Sequence, residues 1–165
     1  NNPDAFALER CRRHGIDTAV VDHRRFPSRE NYDRRLIAIL QSASVELVVM
    51  AGFMRILTPE FFLAFPQRIM NIHPALLPAF PGLESWKQAL EYGAKWTGCT
   101  VHFVDGGMDT GPIILQRAVP ILDDDTTESL HARIQEQEHA AYPQALQWLA
   151  EGRLQVQGRR VLVRA

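Results

Sequence analysis

Apolar and polar positions alternate along the chain in two periods, and the change from one to the other marks the elements. Residues 4–14 carry Phe6, Leu8 and Cys11 near helical spacing, with Pro3 and Asp4 as start signals and Gly15 as a stop. The β-branched run DTAVVDH (17–23) predicts a strand. In residues 28–43, Tyr32, Leu36, Ile39 and Leu40 share one face behind a Ser28 cap, which predicts a helix. VELVVMAG (45–52) is continuously apolar, the pattern of a strand buried on both faces. A short helix over 58–66, with Thr58 as N-cap and Pro59 at the first helical position, leads to a strand over 68–74.

The second half continues the alternation. The pattern predicts a helix over 85–93 closed by Gly93, then strands over 98–105 and 111–121 separated by a Gly-rich turn. Residues 126–152 read as a long helix capped at Thr126 or Thr127, with Pro143 expected to kink or split it. A hairpin about Gln157-Gly158 closes the chain. Strands alternating with helices define an α/β fold, and ligands in such folds gather beyond the C-terminal ends of the strands.

Composition narrows the class. The 165 residues suggest one domain, and 46% hydrophobic against 22% charged residues is ordinary for a globular protein. A net charge of −1 gives no global attraction to nucleic acid or an anionic membrane. There is no apolar run long enough to span a bilayer and no signal-peptide pattern. Cys11 and Cys99 form neither a disulfide framework nor a CxxC, so a reducing, cytoplasmic setting is expected.

Chemistry concentrates at strand ends. In MNIHPALLPAF (70–80), two-residue spacing sends Asn71 and His73 to the same side of a strand, roughly 6–7 Å apart. An amide N–H can donate to a developing oxyanion, and an imidazole can carry a proton. Asp109, on a turn loosened by Gly106, Gly107 and Gly111, is the candidate carboxylate to orient the ring. Together they suggest acyl transfer without a covalent intermediate, since no Ser or Cys sits in a nucleophile elbow. Taken alone, Asn71 and His73 are more often structural, and an Asp after two glycines is more often a turn residue. His102 stands open between a packed core histidine and a site residue. A metal site from His73, His102 and Asp109 is the weaker reading, because the three lack the usual ligand spacing. Asp123-Asp124-Asp125 reads as a solvated loop before the long helix.

Four stretches carry a resemblance: AGFMRIL, NIHPALLPAFPGL, GCTVHFVDGGMDTGPII and RIQEQEHAAYP. Together they resemble the phosphoribosylglycinamide formyltransferases, folate-dependent enzymes of purine synthesis, over essentially the whole chain. The fold implied is a Rossmann-like, doubly wound, mostly parallel sheet forming a single formyltransferase domain over 1–165. The implied reaction moves a formyl group from 10-formyltetrahydrofolate, the co-substrate, to the amine of glycinamide ribonucleotide, with no metal. By the same resemblance Asn71 holds the oxyanion, His73 moves the proton, and Asp109 orients His73 and favours its charged form. The folate site maps onto Arg29, Met54, Arg55, Ile56, Leu57, Asn71 and the turn Asp105, Gly106, Gly107, Met108 and Asp109. Gln135, Glu136, Gln137 and Glu138 map onto the ribonucleotide site, with Glu138 suited to ribose hydroxyls, and His102 lies beside the reacting groups.

Two departures matter. Members of that family open with a strand, a Gly-Ser-Asn loop, a helix and a second strand before the helix that opens this chain. The resemblance therefore implies an N-terminally truncated sequence without the loop that anchors the substrate phosphate. It also implies a sheet edge or face to be covered, for which a homodimer is one arrangement. Glu84 stands after PGL where many members have His, and it reads equally as a first-turn helix residue. Formyltetrahydrofolate hydrolysis and a non-catalytic folate-binding role are the alternative functions.

Overall fold

A computed structural model describes residues 1–165. The chain divides into two compact units, Asn1–Glu46 with Leu57–Ala64, and Leu47–Ile56 with Phe65–Ala165.

The first unit holds α1 (Phe6–Arg13), a short 3-10 turn at His23–Arg25, α2 (Arg29–Ser42) and α3 (Pro59–Ala64). Helix α2 begins where Ser28 accepts a hydrogen bond from the Asn31 N–H, satisfying one of the free donors of the first turn. Asp33, buried on α2, accepts the Thr58 backbone N–H at 2.7 Å and so ties α2 to the start of α3.

Three expectations for this unit need correction. Residues 17–23 are not a strand: no neighbouring strand pairs with them, and Ile16 and Val20 lie exposed. β-branching favours a pleated surface that is packed against something, and here it has no such surface. Asp22 instead caps the 3-10 turn by accepting from the Arg24 N–H. Thr58 does not cap α3 with its side chain; its hydroxyl is buried without a partner, while its N–H is used by Asp33. Helix α1 starts at Phe6, after an Ala5 N-cap that makes no side-chain capping bond, and buries none of its residues.

The second unit is built on one six-stranded sheet. Its strands are β1 (Val48–Met50), β2 (Ile69–His73), β3 (Trp96–Phe103), β4 (Ile113–Pro120), β5 (Leu154–Gln157) and β6 (Arg160–Val163). They lie in the order β1-β2-β3-β4-β6-β5. Two pairings, β1 with β2 and β4 with β6, are parallel. β2 with β3, β3 with β4 and β5 with β6 are antiparallel. The α/β class is as expected, and the sheet is more mixed than strand–helix alternation implies. The short Gly-rich turn between β3 and β4 permits only an antiparallel return.

Helices α4 (Ser85–Tyr92) and α5 (Thr127–Ala150) complete this unit. Its core combines Met70, Val101, Val119, Leu130, Ile134 and Ala145, among others, from the central strands and α5. α5 starts in a reciprocal box, in which Thr126 accepts from the Ser129 N–H and Ser129 Oγ accepts from the Thr126 N–H. It runs unbroken through Pro143, contrary to the expected kink or split. Pro143 lies on the exposed side, as does His139 four residues before it, so the carbonyl that loses its donor can turn to water.

Two further corrections concern the edge strand β1 and the entry to α5. VELVVMAG contributes only three strand residues, and β1 is an edge strand with Val49 45% exposed, not one buried on both faces. Asp125 is not solvated: its side chain is 2% exposed and binds Arg133 at 2.6 Å. That pair, with bonds from Ser129 and the Leu122 N–H, fixes the entry to α5.

Candidate active site

The register of β2 against β3 assembles the site. Asn71 lies opposite His102, and His73 opposite Thr100. Side chains of directly opposed residues share a face, so the two polar positions of NIH meet the two of TVH. β3 against β4 adds Gln116 opposite Thr100.

His73 is buried and held from both sides. Its Nε2–H donates to the Phe80 carbonyl at 2.8 Å, and its Nδ1 lies 3.4 Å from Asp109 Oδ2. With Nε2–H committed to a carbonyl, the proton that can be exchanged is the one at Nδ1, facing the carboxylate. Asp109 Oδ2 also accepts the Gly82 N–H at 2.9 Å, which sets the carboxylate plane.

His102 is buried with its Nδ1–H donating to the Phe103 carbonyl at 2.8 Å. Burial pushes its pKa below the usual imidazole value, outweighing the Phe103 bond and the Asp109 charge that act in the opposite direction. A neutral ring so oriented presents a lone pair at Nε2, which lies 3.4 Å from Asn71 Nδ2 and 3.8 Å from Asp109 Oδ1. His102 therefore accepts one amide proton of Asn71, at the long end of hydrogen-bond range, and leaves the other N–H free.

The loop after His73 is fastened by the Thr100–Gln116 pair. Thr100 Oγ1 donates to the Ala75 carbonyl at 2.7 Å and accepts the Leu77 N–H at 3.0 Å. Gln116 Nε2 reaches both the Leu77 carbonyl and Thr100 Oγ1 at 2.9 Å. Ser85 Oγ donates to the Pro74 carbonyl, and Gln88 to the Pro81 and Leu83 carbonyls. These bonds place the Phe80 carbonyl and the Gly82 N–H where His73 and Asp109 use them. Gly82 has φ 85°, and a Cβ there would stand 3.3 Å from Met108 Sδ.

The turn carrying Asp109 is tight where glycines were expected to loosen it. Asp105 Oδ1 accepts the Gly107 N–H at 3.1 Å and the Thr110 hydroxyl at 2.5 Å. A Cβ on Gly111 would lie 1.8 Å from the Phe103 carbonyl oxygen, so that position excludes any side chain. Asp109 itself has φ 54°, left-handed backbone that a residue with a side chain holds only under constraint.

The other residues singled out in the sequence fall in several places. Met54, Ile56 and Met108 are exposed apolar side chains of the second unit, with Arg55 half-buried between the first two. Gly106 and Gly107 are exposed and Asp105 half-buried. Arg29, the first residue of α2, and buried Leu57 belong to the first unit. On α5, Gln135 and Glu136 are exposed, and Gln137 and Glu138 half-buried. Burial pushes the Glu138 carboxyl pKa up, and its charge helps raise that of the Cys99 thiol. Glu84 is not a first-turn residue but the N-cap of α4, exposed, with φ 51° and no side-chain capping bond. No group of three or more His, Cys, Asp or Glu side chains is disposed to hold a metal ion. Sequence reasoning missed Thr100, Gln116 and the Phe80 carbonyl. The signal for Thr100 was its spacing from His102, two residues as Asn71 is from His73, once the two strands are known to be antiparallel.

An imidazole, a carboxylate against it and an oriented amide stand together at the end of β2, an arrangement able to donate to an oxyanion and to move a proton. The model of the family described as formyl transferase matches residues 1–146, and the chain belongs to that formyltransferase family. Within it, the match is to phosphoribosylglycinamide formyltransferases. That of Escherichia coli (strain K12) is 48% identical over 156 residues, 94% of this chain and 74% of that protein. The trifunctional purine biosynthetic protein adenosine-3 of Drosophila melanogaster is 51% identical over 152 residues, 92% of this chain but 11% of that protein. The crystal structure of glycinamide ribonucleotide transformylase 1 from Symbiobacterium toebii superposes with a TM-score of 0.98 at 53% identity, covering 99% of this chain and 77% of that one. The chain thus spans most of its single-function relatives and a small part of the trifunctional one.

Proposed function

We propose that this chain transfers a formyl group from 10-formyltetrahydrofolate to the primary amine of glycinamide ribonucleotide, with Asn71, His73 and Asp109 as the catalytic residues. The observation that carries this reading is the Asn71–His102 contact beside the His73–Asp109 pair. It supplies an oriented amide donor and a proton carrier at one place.

The amine attacks the formyl carbon, forming a new C–N bond, and the carbonyl oxygen becomes an oxyanion. The free N–H of Asn71 donates to that oxygen. The attacking nitrogen then loses a proton and N10 of the folate gains one as the old C–N bond breaks. His73 Nδ1 carries that proton, and Asp109 stabilises the imidazolium while it exists. Tetrahydrofolate leaves, and the formylated amide is the product.

In this reading Met54, Arg55, Ile56 and the turn Asp105–Asp109 receive the folate. The exposed Met54, Ile56 and Met108 side chains are apolar surface available to a flat pterin. Gln135–Glu138 receive the ribonucleotide, with Glu138 as hydroxyl acceptor. The test is to mix purified protein with 10-formyltetrahydrofolate and follow tetrahydrofolate release with and without glycinamide ribonucleotide. Release that requires the amine supports transfer. Equal release of formate without it would replace transfer by hydrolysis.

A further inference from the structure

The turn that presents Asp109 is also gripped from outside. Arg159 is the second residue of the two-residue turn between β5 and β6, after Gly158 at φ 60°. β6 joins the sheet through Arg160 opposite Ile113, the first residue of β4. That register brings the tip of the hairpin beside the segment leading into β4. The Arg159 guanidinium there donates to the Thr110 carbonyl at 2.7 Å.

This bond falls on the residue after Asp109. Asp109 is in left-handed backbone, which persists where neighbours over-determine it. From inside, the Gly82 N–H holds the carboxylate, and Asp105 holds Gly107 and Thr110. Gly106, Gly107, Met108 and Thr110 are exposed. A water at the Thr110 carbonyl would satisfy its hydrogen bonding without fixing its direction, whereas a planar guanidinium on a hairpin fixes both.

We propose that Arg159 is a positioning residue for the reaction: by holding the Thr110 peptide it keeps Asp109 in place against His73. The role of the carboxylate rests on the function proposed above, while the clamp itself does not. Arg159 touches no reacting group.

Two variants and three readouts test this. In Arg159→Ala, amide hydrogen exchange at residues 105–111 should quicken about tenfold, and kcat should fall about five- to tenfold with KM for the amine within about twofold. The urea midpoint should stay unchanged, because the side chain is exposed. Arg159→Lys, which keeps a donor but not the fork, should recover kcat to within about threefold of the parent. Unchanged exchange in Arg159→Ala overturns the clamp whatever the activity. Faster exchange with parental kcat overturns its role in the reaction. If the parent protein transfers no formyl group while exchange still quickens, the proposed function falls and the clamp stands.

Discussion

The amide of Asn71 has a donor end and an acceptor end, and His102 decides which of them is left free. A neutral, buried Nε2 accepts an N–H, so the donor end faces the site. Removing the amide in Asn71→Ala should lower kcat about 10²–10³-fold, the range for an oxyanion donor, while leaving circular dichroism and folate affinity near parental values. Asp109→Asn keeps the shape but removes the charge that faces Nδ1 of His73. It should lower kcat about 10²–10⁴-fold in the same assay, the range for general acid–base catalysis. That Asn71 and His73 carry their polar groups on one face of a strand was legible in the sequence, because two-residue spacing has a fixed geometric meaning. The partners of those groups were not. The Phe80 carbonyl and the Gly82 N–H are backbone groups, present at every position of any sequence, and only a folded loop singles them out.

Among the elements, α5 tolerates what its sequence argues against. Proline inside a helix is about 3 kcal/mol less favourable than alanine. In Pro143→Ala the restored N–H can bond the carbonyl four residues back, and stability should rise by about 1–3 kcal/mol in urea unfolding. At the start of the same helix, Asp125 binds Arg133, whose bond holds the carboxyl pKa well below its ordinary value. Asp125→Asn should cost about 2 kcal/mol by the same measurement, as expected for a buried charge-assisted bond. Helices were read well from the sequence because their caps and period are local. The runs at 17–23 and 45–52 predict more strand than forms, for the opposite reason. A strand needs a neighbour, and whether one exists is decided by residues far away in the chain.

For the whole molecule, stability should follow pH through groups buried in one charge state. The folded pKa of His102 lies below the unfolded value, chiefly through burial, and His131, stacked on Trp86 at 3.8 Å, shifts the same way. The unfolded chain therefore takes up protons first, and stability should fall as pH drops below about 6.5, until the folded rings protonate too. Asp125 adds a second loss at lower pH. Its folded pKa is depressed, so its contribution is full above the ordinary carboxyl value near 3.8 and disappears as pH falls through and below it. Urea midpoints between about pH 7 and about pH 5 check the first loss; a flat profile there would contradict it. No helix is long and apolar enough to cross a membrane.

The pairing of β2 with β3 also determines which kinds of change the protein can survive. Asn71 meets His102, and His73 meets Thr100, through a ladder whose side chains switch faces at every residue. A substitution at one of these positions weakens one contact by degrees. One residue inserted between Thr100 and His102 sends one of them to the opposite face and unmakes a partnership outright. The same insertion among Asp123 and Asp124 would only lengthen an exposed connection. A library of single-residue insertions, scored for formyl transfer, should therefore show silent gaps over 69–73 and 96–103 and survivors around 123–124. The chain carries a reading frame in its sheet as well as in its gene.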